Sequence, residues 1–537
     1  MATWTMARSA PHMLLLVLLV LLFGSCTAQT CTTNNLQVTY PAPVPADGWE
    51  YRLISTGLTA PRSIVFDTTG GLLVLDSGVG VRRLTLQDNG GTCLSVTANT
   101  TLIADTTLNH GLAISADGTT IYASTVNDVY SYTYNTQTNT VDPATRRNLI
   151  TNMTNADHVT RTLLLSKLQP TELLVSRGSA ANEDAQARNV SSGHSQLRAY
   201  DLSTLGPTDP PFQYVAGTLI GWGLRDSVGV GENPSNGGIW SVENSVDDLT
   251  RDGTDVHQDN PGEELNFHGT LGATANQGGN YGYPDCYALW STAAFPDLGT
   301  LAIGDQFASD NATAGVTDAT CNTDFVDPRL VFQAHVSPLD IKFNANGSTA
   351  FVTFHGSTDR DDPVGYSIVA VPFGLNGQPT AASDSNTAAT NILTSPTLAQ
   401  CPNDCFTPVG LAFDTTGRLF FTSDTTGEVF VLAQVPGDGN GDGNGDGNGD
   451  GNGDGNGDGD GTGDGDGTGD GDGTGDGDGT GDGDGTGDGT GDGTGDGDGT
   501  GDGDGTPDPN AANSLTSAWP VAMGAALASL MAGFILA

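Results

Sequence analysis

The chain has 537 residues and a formal charge of −45, from 18 Lys and Arg against 63 Asp and Glu. Between Asp438 and Asp508 lie 22 Asp and no Lys or Arg, which leaves −45 + 22 = −23 for residues 1–436. So acidic a surface repels phosphates and excludes a nucleic-acid partner, while the roughly 400 residues between the two ends can bury a large core.

At the N-terminus, Arg8 and His12 precede an apolar run from Met13 to Phe23, followed by Gly24, Ser25, Thr27 and Ala28. A charged start, an apolar stretch too short to span a bilayer and small residues predict a signal peptide over 1–28. Cys26 leaves with it. The six remaining cysteines, an even number, suit an oxidising compartment. Many pairings are open, and nearness in sequence favours Cys31–Cys93, Cys286–Cys321 and Cys401–Cys405. Five N-x-S/T sequons, at Asn99, Asn152, Asn189, Asn311 and Asn346, are expected on the surface of a secreted glycoprotein.

Residues 29–435 carry a recurring strand–turn–strand unit. The segment Ser63–Asp76 (SIVFDTTGGLLVLD) returns as Gly410–Asp424 (GLAFDTTGRLFFTSD), with weaker copies at Gly111–Thr125, Val228–Asn244 and Leu339–Phe354. In each, apolar residues alternate on either side of a turn rich in Asp, Asn or Gly, which is hairpin chemistry with period two. Widely spaced hairpins with no long amphipathic helix predict an all-β six-bladed β-propeller, at roughly 65–70 residues per blade. A tandem of β-sandwiches is the competing architecture.

From 436 to 509 glycine alternates with Asp, Asn or Thr, a low-complexity spacer with no apolar side chain to offset the entropy of ordering. It is expected to form a disordered, extended Gly/Asp-rich stalk. The run D-G-N-G-D-G from Asp438 matches the first half of an EF-hand loop, but Gly449 stands where the bidentate Glu belongs. Residues 510–537 place small side chains before the apolar run Val521–Ala537. This predicts a glycosylphosphatidylinositol (GPI) attachment signal, which would tether the mature chain to the outer face of the membrane or the cell wall; a spanning tail helix is the alternative.

Several segments resemble, in order, the soluble quinoprotein glucose/sorbosone dehydrogenases, and most closely their fungal branch of pyrroloquinoline quinone (PQQ)-dependent pyranose dehydrogenases. They are APRSIVFD (60–67), NHGLAIS (109–115), GLRDSVGV (223–230), NPGEELN (260–266), GGNYGYPDC (278–286), HVSPLDIKF (335–343), HGSTDRDDPVGY (355–366) and PVGLAFDTTGRLFFTSD (408–424). The resemblance implies a six-bladed propeller that oxidises a sugar with PQQ and calcium and passes the electrons to an external acceptor. It makes His110 the general base. It makes Arg62, Arg225, Asp226, His335 and Arg360 cofactor contacts, and gives calcium the backbone carbonyls of Gln258 and Asp259.

The chemistry agrees in kind. Hydride removal needs an acceptor that no side chain provides, and no G-x-G-x-x-G follows a strand and opens a helix. PQQ is a tricarboxylate, and arginines are its natural partners. The glutamates 263 and 264 read equally well as structural, bonding loop amides. Two departures from the family pattern add negative charge: GLRD where GLRN is usual, giving Asp226, and HGSTDR where HGSWNR is usual, giving Thr358 and Asp359. They leave open a propeller without catalysis that binds a glycan or protein at the cell surface. A calcium-dependent lactonase would need carboxylate and Asn ligands converging on the axis, and no motif assembles such a set.

Overall fold

The computed structural model describes Met1, Cys31 and residues 34–273 and 277–435. All fall in the first of two compact units, Met1–Asn444. The leader, the Gly/Asp tract and the terminal apolar run lie outside the described residues. Within those residues no helix is long and apolar enough to cross a membrane.

Six four-stranded antiparallel blades close into a ring. Blade 1 runs outward through Pro61–Phe66, Leu72–Asp76, Gly80–Asp88 and Leu94–Ala104. Blade 2 uses Leu112–Ile114, Thr120–Ser124, Val129–Asn135 and Arg147–Thr151, and blade 3 uses Leu163–Leu165, Glu172–Arg177, Gln196–Asp201 and Thr218–Trp222. Blade 4 consists of Ser227–Glu232, Gly238–Glu243, Glu263–Thr270 and Leu330–Phe332, and blade 5 of Pro338–Phe343, Thr349–Phe354, Ser367–Pro372 and Thr390–Thr394. Blade 6 takes three strands from the end of the domain, Pro408–Phe413, Leu419–Ser423 and Glu428–Gln434. Its fourth, Trp49–Ser55, comes from the start and is paired antiparallel from Trp49↔Gln434 to Ser55↔Val429. That strand pairs the start of the described domain with its end and closes the ring.

The blades hold together because both faces of each sheet are covered. Leu72 and Val74 pack toward blade 6 with Ile54, Phe420 and Val431. Their neighbours Leu73 and Leu75 turn to blade 2 with Ile121 and Ala123. Successive residues of one strand thus serve two different cores, which is why Leu72–Leu75 and Leu173–Val175 are consecutive apolar residues rather than alternating ones. The same arrangement fills the remaining four interfaces. Near the axis Val228, Leu339 and Val409 meet, from the innermost strands of blades 4, 5 and 6.

The five hairpin copies read from the sequence are the inner hairpins of blades 1, 2, 4, 5 and 6. The three cysteine pairs favoured by proximity are disulfide-bonded, and they are the disulfides among the described residues. All five sequon asparagines are exposed. One α-helix is described, Asp318–Asp324; it is capped by Thr317 and tied down by Cys321.

Candidate active site

One end of the ring carries a cavity of about 220 Å³. Its wall comes from the start of innermost strands and the segments leading into them (Arg62, Thr160, Asp226, Ser337) and from segments that leave second strands (Asn244, Asp247, Thr358, Asp359). The antiparallel order of the strands brings these segments to the same end in every blade, so residues far apart in sequence converge.

Arg62 lines the cavity and is ion-paired to Asp424. Its Nε donates to His110 Nδ1 at 3.4 Å. Asp424 also takes hydrogen bonds from His355 Nε2 at 3.0 Å and Thr407 Oγ1 at 2.8 Å. Burial pushes the Asp424 carboxyl up, but the His355 bond and the charges of His355 and Arg62 outweigh it and hold the group far below the usual carboxylate range. His110 is 2% exposed. Burial, then the positive charges of Arg62 and Lys342, push its imidazole well below 6.5 against the pull of Asp424. The ring is therefore neutral. Because Nδ1 accepts from a guanidinium, its hydrogen sits on Nε2.

Arg225 is buried in the opposite part of the wall by sequence, at the entry to blade 4. Its donors go to Asp247 Oδ2 (2.8 Å), Asn182 Oδ1 (2.7 Å), the Asn182 carbonyl (3.1 Å) and the Asn244 carbonyl (3.3 Å). Burial would lower its pKa; the charge of Asp247 with contributions from Tyr283, Asp226 and Glu263 raises it instead. Asp226 lines the same cavity, and its backbone N–H donates to the buried Glu243. Glu263 lines it too, accepting from Ser245 N at 2.6 Å, so the structural role open to it in the sequence is present together with exposure to the cavity. Burial and the charge of Asp247 push Glu263 up to about 8.

His335 adopts φ 65° and donates from Nε2 to the His257 carbonyl at 2.6 Å. Its ring lies 3.7 Å from Asp247 and 3.8 Å from Asp359. Ligand atoms of Asp247, His335 and Asp359 come within 4.8 Å of one another, close enough to share a divalent cation.

Arg62, Arg225, Asp226 and His335 thus line one cavity, and His110 stands directly behind Arg62. Gln258, Asp259 and Arg360 do not line it. They form an adjoining cluster in which Arg360 Nη1 meets Asp259 Oδ1 at 3.4 Å and Gln258 Oε1 accepts from Asp361 N at 3.0 Å. The cluster joins the wall through its neighbours, since His257 and Asp359 both contact His335. Sequence reasoning missed Asp247, Asn244 and Asp424. Asp424 was readable, because the hairpin copy that ends at Asp424 matches the one that ends at Asp76, itself a buried acid that accepts from Thr59 N and Ala60 N. Asp247 stands in a loop outside every repeated segment and carried no such signal.

Residues 43–435 match the TrAA12-like family. The chain belongs to that family. A PQQ-dependent sugar dehydrogenase of Hypocrea jecorina (strain QM6a) is 83% identical over 435 residues, 81% of this chain and 99% of the relative. A PQQ-dependent pyranose dehydrogenase of Coprinopsis cinerea is 37% identical over 73% of this chain, a match that spans 54% of that longer protein. Among solved structures, a calcium structure of the Trichoderma reesei AA12 enzyme is 86% identical, with a TM-score of 0.75 over 75% of this chain and all of the other. The holo PQQ domain of the Coprinopsis cinerea pyranose dehydrogenase is 36% identical, with a TM-score of 0.69 over 74% of this chain and 98% of that one. The kinship read from the ordered motifs with fungal PQQ-dependent pyranose dehydrogenases therefore holds.

Proposed function

We propose that the protein is a secreted PQQ- and calcium-dependent dehydrogenase that oxidises a sugar at its anomeric hydroxyl and hands the electrons to an external acceptor. The observation that carries this reading is the pairing of a buried, neutral His110 with a cavity lined by Arg62 and Arg225, in a chain 83% identical to a PQQ-dependent sugar dehydrogenase.

The donor set suits an anionic cofactor under one condition. Two guanidiniums, the His158 imidazole and the Thr160 and Ser337 hydroxyls are complementary to carboxylates and carbonyls, whereas Asp226, Asp247 and Asp359 oppose them. A divalent cation on Asp247, His335 and Asp359 reverses the sign of that side of the wall, which is the reason calcium belongs to the proposal. Gln258 and Asp259 follow His257 directly and contact Asp361 and Arg360, which puts their carbonyls near enough to complete its shell. Bound here, PQQ would supply the hydride acceptor, held by Arg62 and Arg225.

The chain's own part is the proton. A sugar hydroxyl loses hydride readily only as its proton leaves, and a neutral imidazole can take that proton. In His110 the free lone pair is on Nδ1, which faces Arg62. Arg62 must therefore turn from Nδ1 toward an anionic group before His110 can accept at that atom. This couples filling of the cavity to arming of the base. Secretion is supported by the leader, the five exposed sequons and the three disulfides.

The test is His110→Ala, assayed with a panel of sugars and an artificial acceptor after loading with PQQ and calcium. Turnover should fall by roughly 10²–10⁴ with PQQ affinity unchanged. Equal turnover would remove His110 as the base. Failure of the unmutated protein to bind PQQ would instead favour a non-catalytic binding module, the reading to which the acidic wall points.

A further inference from the structure

Behind the cavity wall lies a charge that no motif marked. Arg161 is 0% exposed, and its guanidinium donates only to backbone carbonyls: Nη1 to those of His158 (2.8 Å) and Thr160, Nη2 to that of Met153. Its Nε has no partner, and among the described residues no carboxylate forms an ion pair with it. The neighbouring Arg177, also buried, donates to Asn155 Oδ1 and to the Thr154 and Ser192 carbonyls, again without a carboxylate partner. Arg62 and Arg225, by contrast, are each neutralised within the wall by Asp424 and Asp247.

The acid that acts on Arg161 is Asp226. A side chain at Gly178 would place its Cβ 2.5 Å from Asp226 Oδ1 and 2.8 Å from His158 Cβ, so the Asp226 carboxylate is seated against the segment that Arg161 clamps. His158, Thr160 and Asp226 all line the cavity. Burial lowers the Arg161 pKa to about 10, with Arg177 adding to the fall and Asp226 countering it, so the guanidinium stays charged at neutral pH.

A buried cation satisfied only by dipoles keeps its field, because no counter-charge cancels it and little water screens it. Arg161 holds the carbonyls of His158 and Thr160, both residues of the cavity wall, so its charge lies directly behind that wall. We propose that Arg161 is an unpaired positive charge that favours an anionic cofactor in the cavity, and that Asp226 opposes it, so that this pair sets cofactor affinity. The inference rests on the PQQ reading above and concerns binding rather than the chemical step. As a general scale, two unit charges roughly 10 Å apart in an effective dielectric of about 20 change a binding affinity about tenfold.

The experiment titrates PQQ into the full-length protein at fixed calcium and follows tryptophan fluorescence for the unmutated protein, Asp226→Asn, Arg161→Met and Arg161→Lys. Thermal melts check folding. Asp226→Asn should tighten binding about tenfold and Arg161→Met should weaken it about tenfold. Arg161→Lys keeps the charge while losing the fork that clamps the carbonyls, and should stay within about threefold of the unmutated protein. Equal or weaker binding by Asp226→Asn overturns the inference. So does a loss in Arg161→Lys as large as that in Arg161→Met, which would reduce Arg161 to a loop clamp. If Arg161→Met does not fold, the other two variants decide. Absence of binding by the unmutated protein and by Asp226→Asn alike removes the PQQ reading itself, whereas saturable binding of equal strength removes only this inference.

Discussion

Two adjacent glutamates on the third strand of blade 4 show how burial, more than any neighbouring charge, sets protonation. Burial pushes Glu263 up to about 8 and Glu264 to about 7, from an ordinary value of 4.5. An acid whose folded pKa is raised binds its proton more tightly in the folded state, so unfolding releases protons above pH 4.5 and stability falls as pH rises. The loss contributed by these two groups begins near pH 4.5 and is complete near pH 8. Glu264→Gln keeps the hydrogen bond that Asn266 Nδ2 donates to this side chain and cannot ionise. Its melting temperature should therefore drop less between pH 5 and pH 8 than that of the unmutated protein. Parallel melting curves would show that Glu264 does not titrate in that range. Legibility at this scale followed position. His110, Arg62, Arg225, Asp226 and His335 sit within three residues of an inner strand inside a repeated or family motif, and the sequence marked them. Asp247 lines the same wall and Arg161 lies behind it, but one sits in an irregular loop and the other binds only carbonyls. Neither role leaves a pattern of residue types.

The inner hairpins show what made most of the fold readable. In blade 1 Asp67 Oδ1 accepts from Thr69 N and Gly71 N while Oδ2 pairs with Arg83 Nε at 2.7 Å. In blade 6 Asp414 repeats this with Thr416 N, Arg418 N and Arg418 Nε. The D-T-T-G turn is thus a carboxylate folded over its own loop, and any copy announces a hairpin. Blade 3 hid because its turn, Ser166–Thr171, has no Asp, Asn or Gly. There the Ser166 hydroxyl accepts from Gln169 N and donates to Glu232 of the next blade. The closing strand Trp49–Ser55 was equally silent, since its partner lies some 380 residues away and nothing local encodes that pairing. The hairpin carboxylates differ in what they hold, which gives a graded prediction. Asp67 is buried with Arg83 and with Tyr134, whose hydroxyl donates to it at 2.8 Å. Asp67→Ala strands a buried guanidinium and should cost about 3–5 kcal/mol in denaturant melts. Asp117, at the exposed turn of blade 2, bonds only Ser115 and Thr119. Asp117→Ala should leave the melting midpoint close to that of the unmutated protein. Equal losses at the two sites would show that turn geometry, not the buried pair, carries the energy.

At the scale of the whole molecule, the sequence divides labour between a closed ring and its two ends. The ring was legible because one unit recurs in it; the tethering of that ring is a reading of sequence alone. Small residues before Val521–Ala537 predict exchange of that run for a lipid. A phosphatidylinositol-specific phospholipase should then release the protein from intact cells; retention, with the tail peptide still present by mass spectrometry, would assign a spanning segment instead. The last consequence concerns charge. Residues 1–436 carry a net −23, yet the proposed cofactor is itself an anion. Arg62 and Arg225 arrive at the cavity already paired with Asp424 and Asp247, and Asp226 and Asp359 add further negative charge to its wall. A trianion brought alone into that wall meets more repulsion than attraction. A divalent cation shared by Asp247, His335 and Asp359 removes most of the repulsion, so cofactor and cation should bind with strong positive linkage. Anything that binds only the folded state raises its stability, by about 2.7 kcal/mol at 100 times its dissociation constant. Chelator-treated protein should accordingly gain little melting temperature from PQQ alone and little from calcium alone. The two together should give a shift larger than the sum of the separate shifts. Asp359→Asn should reduce that excess by weakening the cation site. Additive shifts in the unmutated protein would mean that the cation binds away from the cofactor, and the Asp247–His335–Asp359 cluster would lose its place in the site.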